Sequence, residues 1–306
     1  MRKILHLCAM NKPLAYLLLA CCLTAPAAAC AQVVYVPEEV HFQAPRVPDF
    51  VEFAGQTYRF DRPDLYERMD RELINFTYGH TNSTLMLKRA ERIFRQIVPI
   101  LKENGVPEDL KYLMAIESNL DPKAYSTAGA AGLWQFMKAT GQQYGLEVGS
   151  EVDERYNIEK ATVAACKYLK EAYAKYGDWM TVAASYNAGQ GGISKRISDQ
   201  RQKKAMDLFL PTETSRYMFR ILTAKYFFEH PEDFGFHVTD TYPYLPPKET
   251  VTVSEPIPNL TDFAEEHGTT YFFLKEANLW LRSDKLTNKA AKTYRIIIPT
   301  TEYDGM

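Results

Sequence analysis

The chain of 306 residues is 46% hydrophobic and 24% charged, with 36 basic side chains against 38 acidic ones and a formal net charge of −2. This balance excludes a disordered or low-complexity chain, and it gives no reason to expect nucleic acid as a partner. A chain of this length can bury roughly three quarters of its unfolded surface, enough for a large core and for two domains.

Residues 1–31 read as an export signal. Arg2, Lys3 and Lys12 precede the apolar run Leu14 to Leu23, and the small residues of Pro26-Ala-Ala-Ala-Cys-Ala31 follow. Cleavage after Ala31 fits the small-residue rule, and Met10 offers an alternative start. Leu18-Leu-Ala-Cys21 resembles a lipobox and Ala27-Ala-Ala-Cys30 a looser one, so a lipoprotein signal with an outer-membrane lipid anchor competes with a free soluble form. Either way the expected location is periplasmic or cell-envelope. Cys8, Cys21, Cys22 and Cys30 all lie in this segment and only Cys166 beyond it, which argues against a disulfide framework. The six histidines are dispersed, so no metal and no cofactor is expected.

Residues 32–80 form an N-terminal extension, with a short hairpin predicted over Val51–Phe60 around Ala54-Gly55. From Asp64 to about Glu229 the pattern is helical. Asn82-Ser83 is the expected cap of a helix through Leu101, kinked at Pro99 and stopped by Gly105; Pro107-Glu108-Asp109 opens the next. Further helices are predicted over Ala161–Tyr176, Trp179–Ala188 and Thr212–Phe228, giving a mainly α domain over 81–236. Pro243, Pro246 and Pro247 mark a linker at 237–250. Beyond it Val251-Thr-Val253, two helical stretches and Arg295-Ile-Ile-Ile298 predict a small βααβ unit at 251–300.

In the predicted helix Leu110–Leu120, the residues Leu110, Leu113, Met114 and Leu120 share one face, and Glu117 falls on that apolar stripe. A carboxyl placed there is partly desolvated, which raises its pKa and keeps it protonated near neutrality, the state a general acid requires. By position alone, a buried Glu satisfied by a basic partner fits equally well. The small residues Ala128-Gly-Ala-Ala-Gly132 permit close approach of backbone to a ligand, although composition favours tight helix packing. Gln135 offers both a donor and an acceptor. Tyr186 and Asn187 precede the helix-stopping Gly189 and either form a core pair or point into a cleft.

Glu117-Ser118, Gly132-Leu-Trp-Gln-Phe136, Tyr186-Asn-Ala-Gly189 and Leu210-Pro-Thr-Glu-Thr-Ser-Arg-Tyr217 stand in this order. Together they resemble the motifs of family 1 lytic transglycosylases, lysozyme-like enzymes that cleave peptidoglycan, and in particular their membrane-bound murein transglycosylase D type. Ser185 and Gln190 depart from the usual Ala and Pro. The resemblance, over roughly Ile97 to Phe228, implies a goose-type, SLT-like helical fold and peptidoglycan glycan strands as substrate. It makes Glu117 the sole catalytic acid/base, with Ser126, Gln135, Tyr186, Asn187, Glu213 and Tyr217 lining the cleft, Tyr217 being as readily structural. The implied reaction breaks the β-1,4 bond between N-acetylmuramic acid and N-acetylglucosamine and leaves 1,6-anhydromuramic ends. The alternatives are a hydrolytic muramidase, needing Asp121 or Glu213 as a second carboxylate, and a non-catalytic peptidoglycan-binding protein.

The final unit resembles a divergent LysM module, a class that binds N-acetylglucosamine chains. The usual Gly-Asp-Thr after the first strand is replaced by Ser254-Glu-Pro-Ile-Pro258, so glycan binding competes with a role as a packing appendage.

Overall fold

The computed structural model describes residues 43–300; the predicted signal peptide and its cysteines lie outside the described residues. Strands β1 (Phe50–Phe53) and β2 (Gln56–Arg59) pair antiparallel, from Phe50 opposite Arg59 to Phe53 opposite Gln56. Ala54 and Gly55 between them have φ of 51° and 78°, the left-handed pair that a two-residue hairpin turn needs. The Ala54 amide donates to Asp109 Oδ2 at 2.8 Å, which fixes the hairpin against the helical body.

Helices α1 (Pro63–Tyr78) and α2 (His80–Glu103) follow. The expected cap at Asn82-Ser83 is displaced: α2 begins at His80, and the Ser83 hydroxyl instead donates to the Phe76 carbonyl at 2.6 Å across the junction. Pro99 lies inside α2, where its missing N–H removes one rung. The helix stops at Gly105, with φ of 68°, and the Val106 amide returns to the Leu101 carbonyl at 2.9 Å. Helix α3 (Leu110–Ser118) is shorter than the predicted stretch to Leu120, because Asn119 and Leu120 both take positive φ, 50° and 56°. Leu120 is buried nonetheless, off the helical face on which it was expected.

Then come α4 (Lys138–Gln143), α5 (Ile158–Tyr176), α6 (Trp179–Ala188), α7 (Gln190–Gln200) and α8 (Thr212–Glu229). Helix α5 starts earlier than the apolar pattern implied because Asn157 Oδ1 accepts from the Lys160 amide, while Asp178 caps α6 through the Thr181 amide. The Ala128–Gly132 stretch is a loop rather than packed helix, closed by bridges of Ala131 to Tyr125 and to Phe136.

The core of this body surrounds α3. Leu110, Leu113, Met114 and Ala115 are buried with Leu169 of α5, Val182 and Ala183 of α6, and Phe219 and Leu222 of α8. Full burial of each large aliphatic or aromatic side chain contributes about 1.5–3 kcal/mol, so the helix that carries Glu117 is among the most firmly held. Cys166 joins the same core, and burial pushes its thiol up to about 11. Glu72 of α1 is buried too, and accepts from Arg216 of α8 through Nε at 2.8 Å and Nη2 at 3.2 Å.

The proline-marked segment is strapped along α2 instead of hanging free. The Tyr242 amide donates to the Lys88 carbonyl at 2.7 Å, Lys88 pairs with Asp240 at 2.9 Å, and Arg95 lies over the Tyr244 ring. Strand β3 (Glu249–Val253), helices α9 (Leu260–Glu266) and α10 (Tyr271–Ala277), and strand β4 (Tyr294–Ile298) complete a βααβ unit. β3 and β4 are antiparallel, with Glu249 opposite Ile298 and Val253 opposite Tyr294. The core of this unit, built on Leu260, Leu274, Trp280, Ile296 and Ile298, also takes in Ala131, Val152 and Tyr156 from the larger body.

Candidate active site

The last turn of α3 places Glu117 beside α8. Its Oε1 accepts from the Tyr217 hydroxyl at 2.5 Å, and Arg220, one turn further along α8, donates to the Ile116 carbonyl at 3.3 Å. The carboxyl is pushed up to about 7, chiefly because burial penalises its charge. The Tyr217 hydrogen bond and the Arg220 charge pull the other way, and the Glu213 charge adds a smaller upward push. A carboxylic acid held at that value is present both protonated and as the anion near neutral pH. Burial and the Glu117 charge raise the Tyr217 phenol well above its ordinary value, so it remains a donor.

Tyr186 lies near enough to Glu117 for that charge to raise its own phenol, but its hydroxyl donates to the Trp134 carbonyl at 2.6 Å. Its ring packs against Phe136 and Tyr168, 6.2 and 5.1 Å between centroids. Asn187 is half-buried at the end of α6. Glu213 is exposed in the first turn of α8, and its influence on Glu117 is electrostatic. Asp121 pairs with Arg89 at 3.6 Å.

Ser126 and Gln135 belong to the loop 126–136. Ser126 closes it by accepting from the Ala130 amide on Oγ at 3.0 Å, while its own amide donates to the Ala130 carbonyl at 2.9 Å. Gln135 has a positive φ of 48° and spends its amide donors on the Gly132 and Ala124 carbonyls, at 2.8 and 3.2 Å. Its Oε1 is thus the group left to accept. Trp134 is wholly buried, with its indole N–H on Thr162 Oγ1 at 3.0 Å. Glu117, Tyr217 and Tyr186 therefore form one electrostatically linked cluster, and Ser126 and Gln135 form the frame of a neighbouring loop.

Two residues that shape this region were not singled out in the sequence. Arg220 stands three residues after Tyr217 on the same helix face, a spacing that could have pointed to it. Arg155 sits in Asp153-Glu-Arg-Tyr-Asn157, where a charge run reads as a solvated surface, yet it is buried and donates to the carbonyls of Gly129 at 2.7 Å and Phe136 at 3.0 Å.

Comparison with known proteins finds two matching stretches of the chain. Residues 97–209 match the Transglycosylase SLT domain, and residues 249–302 match the Soluble lytic transglycosylase C-terminal LysM-like domain. Membrane-bound lytic murein transglycosylase D of Escherichia coli (strain K12) is 30% identical over 201 residues, covering 63% of this chain and 44% of that protein. Peptidoglycan transglycosylase gp16 of Escherichia phage T7 is 42% identical over 93 residues, covering 29% of this chain and 7% of that protein. The chain thus spans less than half the length of these relatives. It carries a transglycosylase SLT domain followed by a LysM-like domain of the soluble lytic transglycosylase type, and is homologous to membrane-bound lytic murein transglycosylase D.

Proposed function

We propose that the protein is a peptidoglycan lytic transglycosylase of the cell envelope, exported through the signal at 1–31 and acting on glycan strands between N-acetylmuramic acid and N-acetylglucosamine. The observation that carries this reading is the Glu117 carboxyl, held at about 7 by burial beside Tyr217 in an SLT domain. Glu117 protonates the bridging oxygen as the glycosidic bond breaks. The substrate's N-acetyl group stabilises C1, its C6 hydroxyl attacks, and the Glu117 carboxylate takes that hydroxyl's proton. Tyr217 steadies the carboxylate between the two steps by donating to Oε1. Ser126, Gln135, Tyr186, Asn187 and Glu213 border the sugar.

Two-carboxylate glycosidases need a second acid group to supply a nucleophile or activate water. Digestion of purified sacculi followed by mass analysis tests the route taken. The expected fragments end in 1,6-anhydromuramic acid and are about 18 Da lighter than hydrolysed ones, since no water is added on the substrate-assisted path. Mainly reducing ends would instead assign the reaction to a hydrolytic muramidase, with Glu213, whose charge Glu117 senses, as the second carboxylate.

The Tyr217 hydroxyl favours the charged form of Glu117. Tyr217→Phe is therefore expected to shift the alkaline limb of the pH–rate profile to higher pH, and to lower the rate in the step that needs the anion. The lost hydrogen bond costs about 1–3 kcal/mol of stability, visible as a lower melting temperature. A limb that stays in place or moves to lower pH would show that Tyr217 does not tune the acid.

A further inference from the structure

One segment, residues 147–156, folds back on itself through a Val148–Asp153 bridge, ends in a single 3-10 turn at Glu154–Tyr156, and lies between the C-terminal unit and the loop 126–136. On the C-terminal side, Val152 pairs with Leu281 in a β-bridge, the Asp153 amide donates to the Trp280 carbonyl at 2.9 Å, and the Arg282 amide donates to the Glu151 carbonyl at 2.8 Å. The Glu151 carboxylate accepts from the Thr287 amide at 2.7 Å and its hydroxyl at 2.9 Å, and Glu147 accepts from Tyr294 and Lys292, both at 2.9 Å. On the loop side, the Arg155 guanidinium is locked to Asp153 through Nε at 2.9 Å and Nη2 at 2.7 Å, and its Nη1 spans the carbonyls of Gly129 and Phe136.

We propose that the C-terminal unit acts as a brace for the loop 126–136, transmitted through the Glu151–Arg155 segment with Arg155 as its positioning residue. Arg155 and Asp153 are both buried, so the pair is worth keeping only where its donors find acceptors, and here the one remaining nitrogen, Nη1, is spent on two carbonyls of one loop, Gly129 and Phe136. A planar guanidinium can make all these bonds at once; an ammonium cannot. The segment's other face is buried by the same contacts that dock the C-terminal unit, since Val152 and Tyr156 lie in that unit's core together with Ala131 of the loop itself. Displacing the unit would therefore uncover Ala131 and free Asp153, to which Arg155 is bound. That the loop lines a catalytic cleft rests on the function proposed above; that it is braced does not.

Amide hydrogen exchange and glycan cleavage, both measured on the full chain, test this. Arg155→Lys breaks the clamp, and Val152→Asp undoes the docking from the other side. Each is expected to raise exchange at the Ser126, Ala130, Ala131 and Gly132 amides by about tenfold or more, with α5 and α6 unchanged. Each should also lower kcat/KM by about 10²-fold, the cost of a small misplacement of binding groups, while the alkaline limb set by Glu117 stays where it is. Should Val152→Asp not fold, Glu151→Ala, which removes the acceptor for Thr287, replaces it. Loop exchange unchanged in Arg155→Lys, or raised there but not in the docking variant, overturns the brace, whereas raised exchange with full activity in both upholds the brace and removes the loop from the cleft. If the wild-type protein cleaves no sacculi, the proposed function fails, and the exchange result alone still decides the brace.

Discussion

Glu117→Gln is expected to abolish cleavage while leaving the fold in place, and to make the protein more stable above neutral pH. The amide keeps the volume of the side chain and can still accept from the Tyr217 hydroxyl, so the packing around α3 is preserved. It has no acidic proton to give to the leaving oxygen and cannot take one back. Loss of a positioned general acid typically costs about 10²- to 10⁴-fold, and in the proposed mechanism the same group also serves as base, so the upper end is expected. The stability effect follows from the raised pKa. A carboxyl whose value moves from 4.5 in the unfolded chain to about 7 in the folded one favours folding below 4.5, and that contribution is lost as pH rises through 7. At ~1.4 kcal/mol per pH unit the difference is on the order of 3 kcal/mol, which the neutral amide does not forfeit. Denaturant titrations of the two proteins should therefore nearly coincide at pH 4 and separate at pH 8, with the variant the more stable. Equal stability at both, or a variant keeping more than about a tenth of the wild-type rate, would remove Glu117 from the role assigned to it.

The helices were legible because their signals are local. Apolar periodicity and stops such as Gly105 lie within a few residues of the elements they define, and the two-residue turn at Ala54-Gly55 is announced by its neighbours. The burial of Glu117 was legible for the same reason, since it falls on the apolar stripe of one helix and α3 is buried on nearly every side, whereas the groups that answer its charge lie a hundred positions away on α8. What stayed hidden depends on segments far apart in the chain. The spacing of Tyr186 leaves a core pair and a cleft position open, and its hydroxyl is taken by a carbonyl 52 positions away. Nothing in a proline-rich stretch tells that it lies along α2, or that the unit beyond it shares a core with Val152 and Tyr156. Such contacts are set by tertiary packing, for which a single sequence has no period to read. Arg155 shows this most clearly. Its neighbours are charged and its surroundings in the sequence are polar, yet it is among the most enclosed cations of the fold, because the carbonyls that meet its guanidinium come from residues 129–136.

Gly132→Ala is expected to be among the most destabilising single substitutions in the described residues, and the reason differs from the one its composition suggests. A stretch of small residues next to a candidate acid invites the reading that a ligand must come close. At Gly132, what comes close is protein: a Cβ built there would lie 2.0 Å from the Arg155 carbonyl oxygen and 2.8 Å from its carbon. Both atoms are backbone, so no side chain can swing away to make room. The φ of 75° adds a second cost, since alanine is disfavoured in that region. Overpacking against a fixed backbone commonly costs about 1–3 kcal/mol, and left-handed strain adds about 1 kcal/mol more, so a loss of about 2–4 kcal/mol is expected. The Gly132 amide would have to move with its Cα, pulling away from the Ala124 carbonyl that it reaches at 2.9 Å, and the carbonyl of Gly132 would leave the Gln135 side chain. Stability and activity should fall together, because one displacement disturbs both the core of the loop and the Gln135 side chain that we propose borders the sugar. Thermal unfolding and sacculus digestion of the variant check this; a melting temperature within a degree or two of the wild type would mean that the Arg155 backbone yields. Gly129→Ala is the control. There too φ is positive, at 88°, but the nearest atom to a built Cβ is the Tyr125 hydroxyl at 3.5 Å, so only the conformational cost should appear. A gap of about 2 kcal/mol or more between the two alanines would isolate the steric contact of Gly132 with the Arg155 carbonyl from the backbone preference that both glycines share.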